Sequence, residues 1–110
     1  MNTTIRTAVL LALCATGGIA SAAPQCVAEA VVQAKKLLVF HFGPDDRIEI
    51  DPAAKELAPI RNPADKTQQF KVLEVWGTIY KGSYRMRLIY YPLKGDCVLM
   101  GQEVLELARL

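Results

Sequence analysis

Residues 70–92, FKVLEVWGTIYKGSYRMRLIYYP, are the stretch on which the fold turns. They are dense in Val, Ile, Tyr and Trp, which suit a pleated surface, and are broken once, by Lys81-Gly82-Ser83. The pattern predicts two long antiparallel strands joined by a tight turn. A two-residue loop at Gly82-Ser83, or a four-residue loop over residues 81–84, places Tyr80 opposite Arg85, Thr78 opposite Arg87 and Trp76 opposite Ile89. Because side chains alternate across a strand, either loop sends Leu73, Val75, Ile79, Met86, Leu88 and Tyr90 to one face, with Gly77 as a gap in that apolar stripe. Val72, Glu74, Trp76, Thr78, Tyr80, Arg85, Arg87, Ile89 and Tyr91 share the other. A three-residue turn would exchange the faces of one strand and set both arginines among the aliphatic residues, a burial cost that excludes it.

Upstream of the hairpin, residues 24–38 predict a helix: Val27, Ala30, Val31, Ala34, Leu37 and Leu38 recur at three- and four-residue spacing, and Pro24 suits a first turn. Residues 38–42 continue as helix end or short strand, 43–46 make a turn, and Arg47-Ile48-Glu49-Ile50-Asp51 alternates as a short strand. Asp51-Pro52 carries helix-start chemistry, so residues 53–57 are expected to form one or two helical turns, with Pro59 and Pro63 ending them. Residues 58–69 then read as a surface loop. Downstream, residues 93–96 turn the chain into a last strand that starts at Cys97 with a bulge at Gly101. Residues 103–110 suit either state, Val104, Leu105 and Ala108 fitting a helix, and continued strand to about Glu106 is the favoured reading.

The sum is an α+β domain: an N-terminal helix packed on one face of a roughly four-stranded antiparallel meander sheet, tied by one disulfide. The helix-then-meander outline resembles that of cystatin-like and other small exported α+β modules, a likeness that carries no function with it.

The first 23 residues have the three parts of a cleaved secretory signal: a short n-region with Arg6, an apolar run over residues 8–15, and Ala20-Ser21-Ala22-Ala23. The apolar run is too short to span a bilayer. The expected destination is the periplasm, with release to the medium as the alternative. Acylation at Cys14 is disfavoured because Leu13 occupies the position where a small residue is required. Residues 24–110 form a single domain of about 87 residues with a net charge of about +1, against nucleic-acid binding. No transmembrane segment follows the signal. A domain this small benefits from a staple, and Cys26 and Cys97 are the even pair that an oxidising compartment joins.

Catalytic chemistry finds little support. His41 is the sole histidine, the thiols are expected to be locked, and no Cys-x-x-Cys or Gly-rich phosphate loop is present. Asp45, Asp46 and Asp51 lack the alternating ligand spacing of a calcium loop. No catalytic residue, metal or cofactor is therefore expected. The second hairpin face does ask for an explanation, because Trp, Tyr and Arg are the residues enriched in binding hot spots. Trp76, Tyr80, Arg85, Arg87 and Tyr91 are the candidate binding residues, with both arginines expected in cation-π reach of Trp76 and Tyr80. A partner protein of the envelope or exterior is expected there. Two other occupants compete: the 52–69 segment folding over the face through Leu57 and Ile60, and a second copy in a homodimer. A different class of function, ligand binding or minimal catalysis, would use a pocket between helix and sheet opened at Gly77 and lined by His41 and Tyr90.

Overall fold

A computed structural model describes residues 25–107; the expected signal peptide lies outside them. Within the described residues one helix, α1 (Val27–Phe42), is followed by five strands: β1 (Ile48–Ile50), β2 (Lys55–Arg61), β3 (Gln69–Ile79), β4 (Gly82–Leu93) and β5 (Asp96–Leu107). All pairings are antiparallel. The sheet has five strands rather than four, yet it is four lanes wide, because β1 and β2 lie end to end along the same edge of β3. Across the sheet the order is β1 and β2, then β3, β4 and β5.

The helix forms because its Ala-rich stripe lets it lie close to the sheet. Ala30, Ala34, Leu37 and Leu38 are buried against Leu73, Val75, Met86, Leu88 and Tyr90. It starts after Cys26, whose φ of 76° is left-handed, and runs to Phe42, so residues 38–42 are helix end rather than strand. Packing explains the extension: Leu38 is fully buried, and the Phe42 ring lies 4.8 Å from that of Tyr84. Gly43, at φ 83°, ends the helix by donating its N–H to the Val39 carbonyl at 2.8 Å. The Cys26–Cys97 disulfide joins the helix start to β5 across Cα atoms 5.8 Å apart, closing a loop of 71 residues.

Two expectations fail between β1 and β3. Residues 53–57 do not form helical turns; Asp51 Oδ1 accepts the Ala53 N–H at 2.9 Å, and the chain then extends as β2. The missing partner along β3 decides this, since β1 covers only Gly77, Thr78 and Ile79 and residues 69–74 would otherwise keep an unpaired edge. The expected loop of residues 58–69 is correspondingly shorter. It spans residues 62–68 and is closed by Asn62 N–H to Gln68 O at 3.0 Å and by Asp65 Oδ1 accepting from Thr67.

The hairpin keeps its faces and changes its partners. Its loop is Tyr80-Lys81, so Trp76 lies opposite Arg85 rather than Ile89, Thr78 opposite Ser83, and Glu74 opposite Arg87. Moving the loop by two residues shifts every partner by four, an even number, and no side chain changes side. Gly82 is used for packing: a Cβ there would come within 2.7 Å of the Tyr84 hydroxyl. Tyr80 takes the turn instead, at φ 54°. At the next corner Lys94 and Gly95 are both left-handed, the chemistry of a two-residue hairpin turn. β5 is bulged at Met100, beside Gly101.

Candidate functional site

The helix covers one face of the sheet; the other, which we term the open face, carries the candidate residues. Alternation along β3, β4 and β5 aims Val72, Glu74 and Trp76, then Arg85, Arg87 and Ile89, then Glu103 and Leu105 to that side. The 52–69 segment does not fold over it. β2 is bound to the edge of β3, with Leu57 beside Val72, and Ile60 stays exposed.

Glu74 organises the centre of the open face. Its Oε1 accepts the Trp76 indole N–H at 3.2 Å, and its Oε2 lies 3.8 Å from Arg85 Nε and 3.6 Å from Arg87 Nε. Arg87 Nη1 also reaches Glu103 Oε1 at 3.9 Å. One carboxylate thus holds the two candidate arginines on neighbouring positions of β4 and orients the indole beside them. Trp76 remains 38% exposed, with its ring available to a partner. The expected cation-π pairs of Arg85 and Arg87 with Trp76 and Tyr80 do not form; Glu74, directly opposite Arg87, captures both guanidinium groups. Among the described residues the cations over an aromatic ring are Arg47 and Lys81, each 5.3 Å from the Tyr80 centroid.

The five candidates are therefore not one constellation. Trp76, Arg85 and Arg87 are brought together. Tyr80 stands at the hairpin tip, 66% exposed. Asp45 grips Arg47 there through Nε at 3.0 Å and Nη2 at 2.8 Å, which holds the Asp45 carboxyl at about 2, below its usual value of 3.8. Tyr91 sits toward the far end of β4, edge-on to Phe70 at 6.1 Å between centroids. Between these groups is a shallow groove of about 370 Å³ lined by Leu57, Val72, Arg87, Ile89 and Glu103, with the nearly buried Val72 (3% exposed) among its walls. The sequence reading placed Glu74 on this face without giving it a role. The signal was its position between Val72 and Trp76 opposite an arginine, and it became readable only with the correct pairing.

The residues named for a pocket between helix and sheet do not converge on one. The space over Gly77 is filled, since a Cβ there would meet Leu38 Cδ1 at 3.0 Å and both Ile50 Cδ1 and Met86 Cε at 3.1 Å. His41 is exposed near the helix end, whereas the buried Tyr90 lines a separate open cleft of about 410 Å³ between the first helical turns and β5, with Glu29, Gln33 and Leu99. Burial, with the Glu29 charge adding to it, pushes the Tyr90 phenol up to about 12. Among the described residues no helix is long and apolar enough to cross a membrane, and no group of three His, Cys, Asp or Glu side chains gathers as a metal site would need. No family model, curated protein or solved structure matches the chain.

Proposed function

We propose that this protein is a small exported, non-enzymatic binding module that holds a partner protein of the cell envelope or exterior against the open face of its sheet. The observation that carries the reading is the Trp76–Glu74–Arg85/Arg87 cluster, an oriented indole and two guanidinium groups on a face that no segment of residues 25–107 covers. Such residues, on rigid central strands, lose little conformational freedom on docking, which is why Trp and Arg dominate interface energetics. Tyr80 and Tyr91 extend the surface toward the two ends of β4 and set the length of partner it engages. Export to the periplasm fits the N-terminal signal pattern and the disulfide, which an oxidising compartment maintains.

The test is capture from an envelope extract on two baits, the oxidised protein and a folded Trp76→Ala/Arg87→Ala double variant, followed by titration of the purified partner. A protein held by the first and weakened at least tenfold by the second supports the open face as the site. Equal retention by both baits would remove it.

A further inference from the structure

The two edges of the sheet are finished differently. On the β3 side, β1 and β2 form a broken edge, interrupted at Pro52 and Pro59 and studded with exposed Lys55, Glu56 and Arg61. Proline, charge and short length are the usual means of keeping an edge from pairing with another chain. On the other side β5 runs for twelve residues, and among the described residues β4 is its sole pairing partner. It has no Pro, Lys or Arg. Val98, Met100, Leu105 and Leu107 are exposed on it, and its charges, Asp96, Glu103 and Glu106, are all negative. Beyond the bulge at Met100, residues 101–107 pair regularly with β4 and present a straight row of outward backbone groups.

We propose that the free edge of β5 accepts an extended, cationic segment of a partner protein by strand addition. The added strand supplies the missing backbone partners, and its alternating side chains meet two different rows. On the open face they lie beside Glu103, Leu105 and Leu107; on the helix side, beside Gln102, Val104 and Glu106. Glu103 and Glu106 are three residues apart and point to opposite faces, so the matching segment carries two Lys or Arg residues at that same spacing among β-branched residues. Glu103 is 63% exposed despite its ion pair with Arg87, leaving it free to take a second cation. Charge sets this occupant above a second copy of the chain, whose residues 101–107 would bring two carboxylates and no cation to the same edge. This edge proposal shares Glu103 and Leu105 with the open face, but its backbone pairing does not require that face to bind anything.

The probe is the end-blocked peptide Thr-Val-Lys-Val-Thr-Lys-Val-Thr-Val, with the same peptide carrying Glu for both Lys as control. Amide hydrogen exchange of the oxidised protein is followed residue by residue. With the Lys peptide, the outward-facing amides of residues 101–107 slow at least tenfold while those of β3 do not change; the Glu peptide has no effect. A Glu103→Lys/Glu106→Lys variant with an unchanged amide spectrum outside β5 reverses the preference. No slowing with the Lys peptide overturns the proposal, as does equal protection by both peptides. Concentration-dependent protection of β5 without any peptide, accompanied by dimers in sedimentation, also overturns it in favour of a second copy. Since the readout is confined to β5, the edge and the open face fail or succeed separately.

Discussion

The two faces of the β3–β4 hairpin are made by the same two strands, yet one is a core and the other a surface. On the helix side Leu73, Val75, Met86, Leu88 and Tyr90 are essentially inaccessible, and even the gap at Gly77 is plugged by Leu38, Ile50 and Met86. One residue along in either strand, Glu74 accepts the Trp76 indole N–H and lies within ion-pair distance of Arg85 and Arg87, while Arg87 Nε is buried without a hydrogen-bond partner. In a domain of this size, stabilising burial thereby lies mainly on one side of the sheet. Burial on one face is concentrated enough, with the disulfide, that the other is free to carry a charged aromatic cluster whose ion pairs add little to folding.

The contrast is broken most severely by freeing the helix. Cys26→Ser/Cys97→Ser removes a cross-link over 71 residues, and in the chain-entropy model about 4 kcal/mol of stability goes with it. Urea unfolding of the variant beside the oxidised protein measures the loss. Leu88 and Ile89 then make the sharpest comparison, being consecutive and on opposite faces: Leu88→Ala is expected to cost about 3 kcal/mol and Ile89→Ala about 1 kcal/mol, read from the same urea midpoints. Equal costs would mean that the open face is itself a core.

Gly77→Ala tests how tightly the helix is seated. The new methyl meets three apolar side chains at 3.0–3.1 Å and should destabilise by about 2 kcal/mol, and the Gly77→Ala/Leu38→Ala double variant should lose less than the sum of the two single changes. The pH dependence sharpens the contrast further. Tyr90 has a folded pKa of about 12 against an ordinary value of 10, so its contribution is fully present below pH 10 and is lost as pH rises toward 12. Stability should fall by up to about 2 kcal/mol across that interval, and Tyr90→Phe should flatten the slope. The smallest effect on folding is expected on the open face. Trp76→Ala and Arg85→Ala should each change stability by less than about 1 kcal/mol, and acrylamide should quench Trp76 fluorescence in the free protein.

Strand alternation and the cost of burying an arginine were enough, from the sequence alone, to put Leu73, Val75, Met86, Leu88 and Tyr90 on the core face and Glu74, Trp76, Arg85 and Arg87 on the other, though not to place the buried Tyr84. The pairing of Cys26 with Cys97 followed from their number. The helix, β1, and the start of β5 with a bulge beside Gly101 were likewise legible, because hydrophobic period and glycine placement are local signals; the second half of β5, which suits a helix equally by period, was not. Partner identities were not. Gly82-Ser83 looks like a turn by composition, but Gly82 makes room for the Tyr84 ring and the turn falls to Tyr80 and Lys81. Asp51-Pro52 has good helix-start chemistry, but the uncovered edge of β3 recruits the residues after it as β2. That recruitment also leaves the open face open, since a segment paired along an edge is not available to lie across a face. Sidedness is thus a property of each strand's own period, which the sequence carries. Register, edge coverage and the capture of both arginines by Glu74 depend on residues distant in the chain competing for the same neighbours, and only the tertiary structure decides among them.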